Sequence, residues 1–525
     1  MLRKMKLLST KSLLSCLLSA ALLILSFPNF NIWLFAWFGF VPLFFALEGK
    51  THKEAFFLFF FTGLIFWSGI IYWLVHVTLA GTIILIVYLA LYFAAFGLII
   101  RSCTKHSTPY ALVFIPSVWV LLEYVRGCLF TGFPWALLGY SQYLNLPVIQ
   151  AADTTGIWGI SFLVMMVNVG IVEIIWSVRN NLKARLKKII IWSAAILILS
   201  LGYGYYKING IRLPVDKYGK QIKISIIQGN IPQELKWDER YSEFVLAKYL
   251  KLSRLAAKGN PDMIIWPEAA VPGILGEDVR IYKEVYSLAK EIKIPLLTGA
   301  VVKDRGNYFG SALLIDTTGV IVSRYDKLHR VPFGEYIPLK NVLPFLETIV
   351  PIGDIQRGIE YTVFSYPVSP LVGYSVQPTN QLTDNGPTKF AVLDCFEDVF
   401  PNLAREFVKR GAGFLVNITN DAWYKETSAP WQHLQASVFR AVENRVYLAR
   451  AANTGISAFI SPAGKIISLV KGKSGRAIFV DGFDTKEINI LQVKPSFYTR
   501  FGDIFVLICL IIVLVGIMPQ FFRKW

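Results

Sequence analysis

Apolar positions fall into two regimes along the chain. At residues 12–27, 32–47, 55–77, 82–100, 110–124, 157–178 and 189–206 they run together almost without polar interruption, and an eighth such run covers 504–522. Several approach the ~20 residues that a bilayer core demands, and aromatics such as Phe30, Trp33 and Trp37 extend the shorter ones. This pattern predicts seven transmembrane helices in residues 1–206 and an eighth, with a short tail, in 501–525. Between them, across 207–500, the apolar runs shorten and charge returns, which predicts a water-soluble domain.

Within that domain the runs have the length and boundaries of buried strands. Residues 222–228 (IKISIIQ), 262–266 (DMIIW), 294–302, 311–316, 390–394, 414–419 and 457–461 are short, apolar and closed by turn residues. Helices are expected near 241–257 and, as the clearest long one, over 430–452. Strand and helix alternate, so an α/β layered domain follows.

Composition sharpens the picture. A hydrophobic fraction of 54% with 17% charge and a mean hydropathy of +0.49 excludes a disordered chain, a collagen-like repeat and a disulfide-rich scaffold. The net charge of +18 raises nucleic-acid binding as a possibility. The basic residues nevertheless concentrate at Arg3, Lys4, Lys6, Lys11, Lys50, Lys53, Arg101, Lys105, Arg179, Lys183, Arg185, Lys187, Lys188, Arg523 and Lys524. Those positions are the termini and alternate loops, whereas the intervening loops hold only Arg126. That asymmetry is the positive-inside signature and no sign of a nucleic-acid partner. It puts both termini in the cytoplasm and the soluble domain across the membrane, in the periplasm of a bacterium.

Of the five cysteines, Cys395 alone lies in the soluble domain, so no disulfide forms within it. Cys395 is then either an inert core thiol or a group kept for chemistry. The domain's histidines, His329 and His433, have no Cys or His partner at metal-ligand spacing, and no phosphate loop, dinucleotide fingerprint or elbow serine occurs, so neither metal nor cofactor is expected.

Three segments end in ionisable residues: Glu268 in IIWPEAA, Lys327 in RYDKLHRVPFGEYIP and Cys395 in AVLDCFEDVF. Singly they read as a solvated strand-end carboxylate, a surface charge and a core thiol. Jointly they suit acyl transfer, in which a carboxylate takes the thiol proton and a cation stabilises the tetrahedral oxyanion. Glu335 and Glu397 lie in the same segments.

The order of WPE, of Lys before VPFGEY and of CFE resembles the nitrilase superfamily, whose Glu, Lys and Cys sit on an αββα sandwich. With the eight spans, Leu235-Lys236-Trp237 and NDAWYKETSAPWQH at 420–433, the chain resembles the apolipoprotein N-acyltransferase family over nearly its whole length. That resemblance implies Glu268 as general base, Lys327 as oxyanion stabiliser and Cys395 as nucleophile. It further implies that Glu335 assists Lys327, and that Trp237, Phe396 and Glu397 shape an acyl pocket. Phe396 stands where the family usually has Tyr, and Tyr424-Lys425-Glu426 replaces a turn that usually contains Phe-Gly.

The implied reaction passes an acyl chain from a phospholipid, through a thioester on Cys395, to the α-amine of diacylglyceryl-cysteine on an apolipoprotein. The expected partners are that donor, that acceptor and membrane lipid, with the chain acting as a monomer in the bacterial inner membrane. A membrane-tethered amidase on a soluble carbon–nitrogen substrate shares the triad but gives little reason for eight spans. A transporter would place ionisable residues within the spans, where Glu123 and Glu173 are the main candidates and both lie near span ends. The apolar segment 341–352 (NVLPFLETIVPI), continued by Ile359, Tyr361, Val363, Phe364, Tyr366 and Leu371, is either a lid lying on lipid or part of the domain core.

Overall fold

The computed structural model describes residues 9–103, 110–211, 219–336, 355–366, 387–491 and 494–522. The chain divides into two compact units, one formed by Met1–Arg212, Thr427–Glu443 and Ser496–Trp525, the other by Leu213–Glu426 and Asn444–Pro495.

The first unit is helical. Five helices, His52–Ile70, Leu79–Ser102, Ala111–Cys128, Ala152–Arg179 and Lys183–Gly210, are long and apolar enough to cross a bilayer. Thr10–Leu25 and Ile504–Met518 are shorter apolar helices. Local sequence sets where some of them start. Ser9 caps the first by accepting from Ser12 N, and Thr51 with Glu54 forms a capping box on His52–Ile70.

The expected continuous run at 32–47 is instead a 3-10 turn, Trp33–Trp37, followed by the short helix Val41–Ala46. The break is stabilised by Asn168, whose Oδ1 accepts from Phe40 N at 2.8 Å while its Nδ2 donates to Ala36 O and Val164 O. With its backbone groups satisfied in this way, a gap in helical hydrogen bonding is tolerated inside an apolar unit. Similarly, the run 55–77 is helical only to Ile70 and continues as the turn Tyr72–His76.

The second unit holds fourteen described strands. They are β1 (Gly219–Gln228), β2 (Met263–Ile265), β3 (Ile274–Leu275), β4 (Leu296–Asp304), β5 (Asn307–Ile315), β6 (Ile321–Asp326), β7 (Ile355–Gln356) and β8 (Phe364–Tyr366), followed by β9 (Thr388–Asp394), β10 (Phe414–Thr419), β11 (Tyr447–Ala452), β12 (Ala458–Ile460), β13 (Ile466–Leu469) and β14 (Gly482–Leu491). One sheet has the order β14-β1-β2-β4-β5-β6, with β3 paired to β4 and β7 to β5; the other runs β13-β12-β11-β10-β9-β8. Parallel pairs occupy the middle of each sheet, β1–β2–β4 and β9–β10–β11. The sheets meet through β1 with β11 and β5 with β9.

Helices Ser242–Ala257 and Val279–Ile292 cover the first sheet, burying Val245, Tyr249, Val285 and Leu288 with Ile264, Trp266, Leu296 and Leu313. On the second sheet Phe364, Phe390 and Phe414 are cross-strand neighbours whose rings stack at 5.0 and 5.1 Å. Pro401–Lys409 packs on β9 and β10.

Every run expected as a strand is one. The helix expected over 430–452 is not continuous: it spans Ala429–Asn444, and β11 follows. Arg445 takes a positive φ of 56°, which ends the helix, and 447–452 then pairs in parallel register with β10. Tertiary pairing here overrides a pattern that suits a helix equally well. Up to Glu443 this helix belongs to the helical unit, where Gln432 accepts from the indole N–H groups of Trp73 and Trp135 and donates to Ile70 O.

Candidate active site

Glu268, Lys327 and Cys395 each follow the C-terminal end of a strand, namely β2, β6 and β9. Glu268 lies in a turn against β4 at Gly299, where a Cβ would fall 2.6 Å from Glu268 Cα, so only glycine lets the strand pass this close. Lys327 is pinned at both backbone groups: its N donates to Gly310 O and its O accepts from Gly358 N. Cys395 has a φ of 53° and opens a 3-10 turn capped reciprocally by Asp394 and Glu397. A non-glycine residue in that left-handed region is held by its surroundings, which is common where a reactive group must be aimed.

Around Lys327 the charges converge. Its buried Nζ lies 2.7 Å from Glu335 Oε1, 3.2 Å from Glu268 Oε1 and 3.7 Å from Asp394 Oδ1. Cys395 Sγ accepts a hydrogen bond from Thr419 Oγ1 at 3.2 Å, and the Cys395 carbonyl accepts from Asn417 Nδ2 at 3.1 Å. Behind them Arg450, wholly buried, donates to Asn417 Oδ1 and pairs with Asp398 and Asp421 at 3.0 and 3.2 Å. Among the described residues no group of three or more His, Cys, Asp or Glu could hold a metal ion.

Protonation follows from this crowding. Burial, and then the Glu268 carboxylate, push the Cys395 thiol well above its ordinary value, so sulfur holds its proton at rest. Burial would also raise Glu268, but Lys327 and then Lys236 outweigh it and hold the carboxyl below its ordinary range. Burial opposes the charge on Lys327 too; Glu335 and Glu268 overcome it and leave the ammonium protonated well beyond its usual range. Burial drives the Asp394 carboxyl well up against the pull of Lys327. The pocket thus combines a thiol, an ionised carboxylate facing it and a fixed ammonium.

The remaining expected residues divide. Glu335 joins the cluster through Lys327, its other oxygen accepting from Val331 N. Glu397 is fully buried, and its oxygens accept from Tyr325 OH, Leu328 N, His329 N and Asp394 N, so it clamps the turn carrying Lys327 to the turn carrying Cys395. Burial raises its carboxyl to about 7. Phe396 is buried with its ring 5.3 Å from Phe400 and 6.3 Å from His329. Trp237 is 50% exposed beside Lys236. Residues 341–352 and Leu371 lie outside the described residues; beyond them Phe364 is buried on β8, while Ile359 is 88% exposed.

Lys236, Asp394, Asn417, Thr419 and Arg450 escaped sequence reasoning. Three carried a usable signal: Asn417 and Thr419 alternate in the apolar strand FLVNIT, and Arg450 is the single charge in YLARAA. A polar group in a strand buried on both faces requires a partner, and here the partner is the site.

Residues 223–480 match the carbon–nitrogen hydrolase family, so the sandwich with its clustered Glu, Lys and Cys is that of a nitrilase-superfamily enzyme. Residues 19–170 match the apolipoprotein N-acyltransferase N-terminal domain. A curated apolipoprotein N-acyltransferase of Geobacter metallireducens is 38% identical across 94% of this chain and 92% of its own. Those of Haemophilus influenzae and Pasteurella multocida are 29% and 30% identical over 87% and 85% of this chain and 86% and 84% of theirs. The chain belongs to the apolipoprotein N-acyltransferase family, a membrane-protein branch of the nitrilase superfamily.

Proposed function

We propose that the protein N-acylates apolipoproteins at the membrane, using Cys395 as nucleophile, Glu268 as general base and Lys327 as oxyanion stabiliser. The single observation that supports this most strongly is the buried Lys327 ammonium shared between Glu268 and Glu335, beside a thiol on a left-handed turn. In the first half-reaction Glu268 takes the Cys395 proton as sulfur attacks the ester carbonyl of a phospholipid acyl chain. The tetrahedral oxyanion is stabilised by Lys327; Glu268 then protonates the departing oxygen, releasing a lysophospholipid and leaving a thioester.

In the second half-reaction the α-amine of a diacylglyceryl-cysteine attacks the thioester. Glu268 removes the amine proton and returns it to sulfur as the C–S bond breaks, and an amide is released. Water competes for a thioester, so two lipid-borne substrates and a water-poor site favour transfer over hydrolysis. Glu335 holds the Lys327 ammonium, Trp237 and Phe396 line the acyl path, and Glu397 keeps the two catalytic turns in register.

Residues 1–206 act as seven transmembrane helices and 501–525 as the eighth, with 207–500 as a periplasmic domain of the inner membrane; the clustering of basic residues in alternate loops supports this orientation. One chain carries the whole triad, so a monomer suffices.

The test is incubation of the purified protein in detergent with phospholipid labelled in its acyl chain and a diacylglyceryl peptide bearing a free N-terminal cysteine. Label should pass to the peptide as an amide, through a protein-bound species that hydroxylamine cleaves. Release of the label only as free fatty acid, with or without the peptide, would make the protein a hydrolase and overturn the reading.

A further inference from the structure

The pocket holds a second cation for which the acyl-transfer scheme has no assigned task. Lys236 ends the short helix Gln233–Lys236, is buried, and donates from Nζ to the main-chain carbonyl of Glu268 at 2.9 Å. Its helix is anchored, since Gln233 Oε1 accepts from Asn420 Nδ2, and Asn420 Oδ1 in turn accepts from Asn453 Nδ2. A buried lysine whose ammonium ends on one specific carbonyl is expensive to maintain unless its charge is balanced nearby.

Counting charge shows what balances it. The groups facing Glu268 are Lys327 after β6, Glu335 in the loop beyond, Asp394 and Cys395 at the end of β9, Tyr424 after β10, and Lys236. Burial pushes the Cys395 thiol, the Tyr424 hydroxyl and the Asp394 carboxyl well above their ordinary values, which disfavours a negative charge on each. Lys327 stands 0.5 Å closer to Glu335 than to Glu268, at 2.7 against 3.2 Å. A single ammonium held mainly by Glu335 leaves Glu268 short of a counter-charge.

We propose that Lys236 is the positioning residue of the general base: its ammonium pins the Glu268 peptide and supplies the pocket's second positive charge, keeping Glu268 ionised while Lys327 serves Glu335 and the oxyanion. The proposal rests on the acyl-transfer reading above. Lys236 keeps its proton throughout; the protons that move are those of the Cys395 thiol and the acceptor amine, each passing through the Glu268 carboxylate. Burial lowers the Lys236 ammonium to about 8, and Glu268 is the largest influence resisting that fall, so the two groups support each other's charge.

The experiment uses the full-length protein in detergent and Lys236→Gln, Lys236→Met and Lys236→Arg. Two rates are followed against pH: thioester formation from a phospholipid labelled in its acyl chain, and alkylation of Cys395 by iodoacetamide, which needs no lipid. In Lys236→Gln and Lys236→Met the acid limb of both profiles should move up by about one pH unit, with about a tenfold rate loss below it, as expected when a carboxylate loses one neighbouring cation. Lys236→Arg should keep the limb near that of the parent.

Glutamine can still donate to the Glu268 carbonyl, so Lys236→Gln separates charge from the hydrogen bond and carries the test if Lys236→Met fails to fold. Acid limbs of Lys236→Gln coinciding with the parent's, whatever the loss of rate, would overturn the proposal and leave Lys236 as packing alone. If the parent formed no thioester, the acyl-transfer reading would fail, and the alkylation profiles would still decide whether Lys236 sets the ionisation of Glu268.

Discussion

In the helical unit two buried polar clusters each serve a local set of partners. Asn168 serves Phe40 N, Ala36 O and Val164 O, and Arg440 pairs with Glu443, which also accepts from Ile157 N. At the strand ends of the sandwich unit one ammonium, Lys327, is divided among Glu335, Glu268 and Asp394. The first arrangement ties side chains to backbone groups and holds them in place. The second crowds several carboxyl groups around one ammonium, the setting that the proposed proton transfers through Glu268 require. The same low dielectric rigidifies one region and poises the other, and the difference lies in how partners are counted.

The sharpest way to break the contrast is to remove the group the crowded site acts on. Cys395→Ser should abolish acyl transfer to below detection while the protein still purifies folded, since a hydroxyl is far less ionised than a thiol. Mass spectrometry should find the acyl group on Cys395 of the parent, and label on any other residue would end the mechanism. Next, Glu268→Gln should slow thioester formation by ~10²–10⁴-fold with size conserved, and Lys327→Met by ~10²–10³-fold through loss of the oxyanion's counter-charge. Normal thioester yield with stalled transfer in either variant would show that its role is misassigned. Because Glu268 is held below its ordinary value, its share of folding stability is present above the unfolded-state value and is lost as pH falls through the folded one.

Smaller effects should come from the supporting shells. Arg450→Met leaves Asp398 and Asp421 buried without their shared cation and should cost about 3–5 kcal/mol, read as a lowered Tm in detergent. An unchanged Tm would mean that both acids protonate at little cost. Asn168→Leu, in the helical unit, strands Phe40 N and Ala36 O and should cost about 1–3 kcal/mol, while iodoacetamide still alkylates Cys395 at the parent rate. A slowed alkylation would show that the two regions do not divide structure from chemistry as drawn here.

Much was legible in the chain itself. Length and apolarity set the helices of the first unit, because a 20-residue run without charge has few other solutions. Short β-branched runs closed by turn residues set the central strands of the second, and Glu268 and Cys395 were legible at strand ends, with Lys327 legible only as part of their joint pattern. The sequence did not reveal the break at 38–40, because satisfaction of its backbone by Asn168 is a contact over 128 positions. Nor did it reveal β11, whose pattern suits helix and strand alike until β10 offers a partner.

The marginal strands β6, β8, β13 and β14 have mixed polarity and form only because a neighbouring strand accepts them. Proximity decided the chemistry as well. Lys236 lies 32 positions from Glu268, and although Leu235-Lys236-Trp237 contributes to the family resemblance, nothing local in the sequence brings its ammonium to that residue. Residue types and local pattern are properties of the chain, whereas charge balance in a buried pocket is a sum over neighbours, and only the tertiary structure determines who the neighbours are.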